Sequence, residues 1–251
     1  MPLREAAQRH HDVLFPSHVS RLKETDPELV EIWGDWAFGD VLEDETLDAR
    51  TRLMVQLAAI IASHAVAEYR VMLDGALNVG VTPIEVKEIV YQAVPYVGMA
   101  KVFDFLHATN DVLRERGVSL PLASQSTTTR QTRREMGIAV QKAIFGDEHV
   151  ERLRAKAPVD QRHIQEFLST NCFGDHLTRA GIDLKLRELL TLSMLAALGG
   201  CEPQLAAHVS GNVNVGNDRR VLIATVTQLL PFIGYPRALN ALRVIDDVTS
   251  R

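Results

Sequence analysis

Four side chains suit chemistry by type and placement: Cys172, Glu188, Cys201 and His208. Cys201 follows Gly199-Gly200 and precedes Glu202-Pro203, which places it just before the first turn of a helix. The unpaired N–H groups and positive dipole end there favour a thiolate, while the adjacent Glu202 opposes it. A cysteine so placed can serve as a redox nucleophile; the plainer reading is a small buried apolar residue. Cys172 is the only other cysteine, and pairing the two would need their Cα atoms within about 7 Å. Glu188 lies on an otherwise apolar helix, where a carboxylate must find a partner or stay protonated. It reads either as a proton relay or general base, or as the structural partner of an arginine such as Arg187. His208 comes seven residues after Cys201 on the same helix face, about 10 Å along the axis, so it cannot touch Cys201. It can reach Glu188 across a helix pair, although a lone helix histidine is usually a satisfied core residue.

What links the four is an internal repeat. Leu47-Asp48-Ala49-Arg50-Thr51-Arg52 returns as Ile182-Asp183-Leu184-Lys185-Leu186-Arg187, and Ala76-Leu77-Asn78-Val79-Gly80 returns as Asn212-Val213-Asn214-Val215-Gly216. Gln92-Ala93-Val94-Pro95-Tyr96-Val97-Gly98-Met99 returns as Gln228-Leu229-Leu230-Pro231-Phe232-Ile233-Gly234-Tyr235. A period this long marks a duplicated domain. Laid over one another, Cys172 matches Ala37, Glu188 matches Leu53, Cys201 matches Ala65 and His208 matches Met72. All four reactive positions are inert in the first copy, so the second copy is expected to be the active half and the first the scaffold.

The elements that must position these residues all read as helices. Arg52 to Ala62 is apolar on every face, the mark of a buried helix. Val66 to Leu77 forms a helix ending at Gly80, and Thr82-Pro83-Ile84-Glu85 opens the next with a capping pattern. That helix is expected to run to about Val94 and to break at Pro95 and Gly98, before a last one from Ala100 to Arg114. The second copy repeats the plan through Leu184–Leu198, a helix from Pro203 to Gly216, one ending at Leu230 and one after Pro236. Each copy has a helical lead-in ending in Phe-Gly-Asp. No stretch alternates like a strand, so the fold is expected to be all-α. The first copy spans 1–118, a Ser/Thr/Pro-rich linker 119–132, and the second copy 133–251.

Composition narrows the function classes. The chain has 251 residues, 46% hydrophobic and 24% charged, with a net charge of -5; that suits an ordinary globular protein and supplies no basic block for nucleic acid or a membrane surface. No apolar signal core precedes Ser20 and no apolar run could span a bilayer. With two cysteines, a reducing, cytoplasmic setting is expected. His64 and Glu68, four apart, could support a metal or relay, but two ligands without a third favour a local pair and no metal site. The His10-His11 tandem and the Arg133-Arg134-Glu135 run read as solvated surface.

The order Arg187-Glu188-Leu189-Leu190-Thr191-Leu192, His208, Asn214-Val215-Gly216 and Gln228-x-x-Pro231-Phe232-Ile233-Gly234 resembles the carboxymuconolactone decarboxylase family, which includes alkylhydroperoxidase-D-like proteins. The resemblance covers Leu47 to Glu115 and Ile182 to Asp247. It implies two tandem alkylhydroperoxidase-D-like helical domains and a homo-oligomer, a trimer of two-domain chains. The peroxidase branch uses a helix glutamate followed by Cys-x-x-Cys-x-x-x-His, onto which Glu188, Cys201 and His208 map, with Gln204 at the second cysteine. The decarboxylase branch places a glutamate four residues before the helix histidine. Here Glu68 is followed by Met72, and His208 is preceded by Gln204.

On three matches of four, the first expectation is a cofactor-free, thiol-dependent oxidoreductase of the peroxidase or disulfide-exchange type. Cys201 would be the nucleophile, Cys172 its resolving partner and Glu188 with His208 the relay, reset by an external thiol reductant. The alternative is a cofactor-free decarboxylase or isomerase of a small carboxylated lactone. There His208 and Glu188 would move the proton while Arg187 or Arg237 held the substrate anion. A third is a binding protein whose cavity has lost its chemistry.

Overall fold

The computed structural model describes residues 3–16, 18 and 20–250. The first copy contains α1 (Glu5–Leu14), α2 (Pro27–Phe38), α3 (Ala49–Ala62), α4 (Val66–Asn78), α5 (Pro83–Val97) and α6 (Met99–Glu115). The second contains α7 (Arg133–Phe145), α8 (Asp147–Lys156), α9 (Arg162–Phe167), a π-helical segment (Leu168–Leu177), α10 (Leu184–Leu198), α11 (Glu202–Asn214) and α12 (Arg219–Thr249). No strand occurs among the described residues, so the fold is all-α.

The two central helices begin alike. Asp48 accepts N–H bonds from Arg50 and Thr51 at 3.0 Å, and Asp183 accepts one from Leu186 at 2.8 Å; both satisfy donors that a helix start leaves open. The helices they cap, α3 and α10, are buried from Leu53 to Ala62 and from Arg187 to Ala197. They pack against each other, and α5 and α12 each pack on both. One continuous apolar core therefore runs through both copies.

Thr82 and Glu85 form the expected capping box at the start of α5. The end of that helix departs from expectation, because Pro95 is accommodated within it and the chain turns only at Gly98. Proline forfeits one N–H but remains compatible with helical φ, whereas φ of 90° at Gly98 falls where a side chain is disfavoured. The matching Gly234, φ 74°, bends α12 into two helical stretches in the same way. At the end of α10, Gly199 adopts φ 64°, and its first-copy counterpart His64 adopts φ 58°. The exposed His64 thus shapes a turn, and no group of three or more metal-ligating side chains occurs among the described residues. The histidine tandem is also more than solvated surface. His10 Nδ1 lies 2.8 Å from Phe38 O, and His11 joins Phe15 and Phe38 in an aromatic cluster.

A buried ion pair fastens the copies together. Arg187, 1% exposed, donates to Glu88 of α5 at 2.9 Å, to Gln92 Oε1 at 3.0 Å and to the Arg179 and Ala180 carbonyls. Arg179 completes the arrangement with bonds of 2.9–3.1 Å to the Glu88 carboxylate. Removing one member of such a pair strands a charge in low dielectric. Glu88→Leu is therefore expected to cost about 3–5 kcal/mol in denaturant unfolding, and Glu88→Leu with Arg187→Met to cost less than the single change. A double variant no more stable than Glu88→Leu would show that the ion pair is not the relevant contact.

Candidate active site

Glu188 stands in the second turn of α10 with no exposed surface, and His208 faces it from α11 with 7% exposure. His208 Nδ1 lies 2.8 Å from Glu188 Oε2. The carboxylate finds the partner that burial demands, and the ring is oriented with Nε2 as the nitrogen left to meet a substrate. Asn212, one turn after His208, donates to both Glu188 O and His208 O, at 3.0 and 2.8 Å. Asn217 donates to Asn212 Oδ1 at 2.9 Å and to Lys185 O at 2.8 Å. Two side-chain amides thus lock the register of α11 on α10. A side chain at Gly211 would start 3.0 Å from Glu188 Oε2 and 2.6 Å from Ile144, so the close approach requires glycine there.

Three further elements close the site. Phe145, at the end of α7, sets its ring edge-on to His208 with centroids 5.2 Å apart. Tyr96 does the same with centroids 5.8 Å apart. Cys172, on the π-helical segment, is buried with Ile144 and Phe173 against Tyr96. π-Helical turns are rare and often occur at functional sites. Burial and the nearby Glu188 push the Cys172 thiol up to about 12, so it stays protonated. Burial likewise raises the Tyr96 phenol. The Tyr96 hydroxyl lies beside Cys172, Thr191 and Glu188, and Glu188 Oε1 is buried without a partner. Unsatisfied polar atoms are costly in a native interior, and Glu188 Oε1 is one of them at this site.

The structure brings together three of the four residues singled out in the sequence and separates the fourth. Cys201 does sit at the N-cap position of α11, but its side chain makes no capping bond. The thiol instead donates to Leu195 O at 3.4 Å and lines a crevice of about 10 Å³ with Leu195, Glu202 and Arg237, barely room for one water. Burial and Glu202 raise its pKa, where the helix dipole alone would have lowered it. Cys172 belongs to a different apolar cluster, and both cysteines are free thiols. The two arginines expected to hold a substrate anion are placed as follows. Arg187 is spent on Glu88 and Gln92 inside the core, and Arg237 faces the Cys201 crevice.

The first copy is more than scaffold, because Tyr96 comes from it. The same comparison of copies would have flagged this residue, since Phe232 at the matching position lacks the hydroxyl. Where the second copy holds Glu188 and His208, the first buries Leu53 and Met72. A side chain at Gly75, the counterpart of Gly211, would start 2.8 Å from the Phe15 ring; apolar packing has filled that half. Glu68 has no histidine at position 72, and burial raises its carboxyl.

Comparison with known proteins agrees with this architecture. The sequence model of the carboxymuconolactone decarboxylase family matches residues 27–111 and 162–247. The chain belongs to the carboxymuconolactone decarboxylase family. Both repeats match, as the duplication requires. A nitrosuccinic acid decarboxylase from Metarhizium robertsii is 31% identical over 85 residues, 34% of this chain and 59% of that protein. The match thus spans about three fifths of that relative's length. A 4-carboxymuconolactone decarboxylase from Acinetobacter baylyi is 25% identical over 118 residues, 47% of this chain and 87% of that one. A solved structure from Burkholderia xenovorans LB400, whose name places it among gamma-carboxymuconolactone decarboxylase subunits, superposes with a TM-score of 0.51 over 99% of both chains at 18% identity. At that identity it speaks for the fold alone. Membership suggests an enzyme, and the decarboxylase names favour the lyase alternative over the thiol-dependent reading. Among the described residues no helix is long and apolar enough to cross a membrane.

Thiols held protonated by burial react slowly with electrophiles. At pH 8 both Cys172 and Cys201 are expected to alkylate more slowly than free glutathione, and at the glutathione rate once the chain is unfolded. Rapid alkylation of Cys201 in the native protein, read by mass spectrometry, would contradict this geometry.

Proposed function

We propose that this protein is a cofactor-free decarboxylase of a small organic acid whose carboxylate leaves next to an electron-withdrawing group. The observation that carries the reading is the buried Glu188–His208 pair, faced by Tyr96 and set apart from Cys201. The names of the two relatives, both decarboxylases, support it.

The chemistry needs little more than this site holds. Breaking the C–C bond releases CO2 and leaves its electron pair on the substrate carbon, delocalised into the adjacent electron-withdrawing group. Protonated His208, its charge balanced by Glu188, stabilises that developing anion from Nε2 and then transfers the proton to carbon. Water returns a proton to the imidazole, so the net reaction consumes one proton and yields CO2 and the protonated product. Tyr96 donates a hydrogen bond to the oxygen that gathers charge. Burial excludes bulk water and strengthens each of these interactions. Cys172 contributes a neutral, space-filling thiol.

Assays of CO2 release from 4-carboxymuconolactone and nitrosuccinic acid test the reading. His208→Gln is expected to lower kcat by about 100- to 10,000-fold. Glu188→Gln, which keeps the shape but removes the charge, should lower kcat more than it changes KM. Tyr96→Phe should slow turnover although it lies in the other copy, and Cys201→Ser should leave the rate near wild type. Peroxide consumption that depends on Cys201, with no CO2 released from either acid, would replace this reading with the thiol-dependent one.

A further inference from the structure

A cavity lined by charged side chains lies outside the site just described. It has a volume of about 560 Å³ and is walled by α5 and α6 on one side and by the inter-copy segment from Leu120 to Gln125 on the other. That segment is held in place. Gln125 O accepts from Ala180 N at 2.9 Å, Thr127 donates to Thr178 O at 2.8 Å, and Thr128 donates to Gly174 O at 3.0 Å. What reads in sequence as a simple linker is therefore a fixed wall.

The chemistry of the lining is cationic and aromatic. Lys87, Arg114 and Arg179 face the cavity with a single acid, Glu88. Glu88 is already engaged by Arg179 and Arg187. Lys87 is partly buried, bonds only to the neutral Asn110 Oδ1 at 2.6 Å, and has no carboxylate partner among the described residues. Arg114 reaches Asp111 at 3.5 Å, but Asp111 is held more closely by Arg70, at 2.9 Å. The Tyr91 ring lies under Lys87 and Arg179, 5.6 and 5.1 Å from its centroid. Positive charge is thus in excess inside a chain whose net charge is -5. The counterpart positions in the second copy make this specific to the first: Ile223 stands for Lys87, Ala224 for Glu88 and Thr227 for Tyr91.

We infer that this cavity is a binding site for a small planar organic carboxylate, separate from the Glu188–His208 site. The volume falls in the range of small-molecule pockets. The ligand's carboxylate would supply the counter-ion that Lys87 lacks, with Arg114 beside it, each bond charge-assisted. Its flat apolar body would lie along Tyr91, Leu120 and Leu122. The two copies have then diverged in opposite directions: the second kept the acid–base pair, and the first acquired a cationic pocket.

Titration calorimetry with benzoate, phthalate and 1-naphthoate tests this. At least one should bind saturably with Kd near or below about 1 mM, while benzamide, the neutral isostere of benzoate, should not. Lys87→Met with Arg114→Met should weaken binding at least tenfold with an unchanged circular dichroism spectrum, and His208→Gln should leave it intact. Absence of saturable binding by all three acids would overturn the proposal, as would equal binding of benzamide. Binding that survives loss of Lys87 and Arg114, or that disappears with His208→Gln, would place the acid elsewhere and overturn it too.

Discussion

A carboxylate with no exposed surface is the constraint around which the second copy is organised. Glu188 cannot stay charged in the core without a partner, and His208 at 2.8 Å supplies one. Holding that distance requires α11 to lie close on α10, which Gly211 permits and the Asn212 and Asn217 amides enforce. Removing one partner of such a pair is costly because the other remains buried. The pair therefore shapes its own surroundings as well as any chemistry it performs.

Duplication has been exploited unequally. The common core, with α5 and α12 each laid across both central helices, means that neither copy encloses its site alone. Tyr96 of the first copy reaches the acid–base pair of the second, while in the opposite direction Phe232 packs edge-to-face with Trp33, ring centroids 6.3 Å apart. One helix also joins the Glu188–His208 pair to the cationic pocket. α5 carries Lys87, Glu88 and Tyr91 at the cationic pocket and Gln92 and Tyr96 at the core and site. Glu88 holds Arg187, the residue immediately before Glu188.

Much of this was legible in the sequence for identifiable reasons. Thr82 and Glu85 act within three residues of one another, so the start of α5 could be placed from local pattern. Glu188 was conspicuous as a charge on an apolar helix, and His208 stood where a neighbouring helix would bring it. For Cys201 the N-cap position was legible while the side-chain direction was not. Thiol reactivity depends on which way the sulfur points and on burial, and neither is encoded in spacing. The surroundings of Arg187 and the place of Tyr96 were not legible for a related reason. Their partners, Glu88 and the Glu188–His208 pair, lie about a hundred residues away in the other copy, and only the packing of α5 on α10 joins them.

The central claim is that His208, held by Glu188, delivers a proton to the carbon that loses CO2. Turnover in D2O, with the product examined by NMR, reads that step directly. One deuteron on that carbon, delivered to a single face by the wild-type protein, is the expected result. Deuteration without facial preference, or facial preference that persists in His208→Gln, would show that the proton comes from elsewhere.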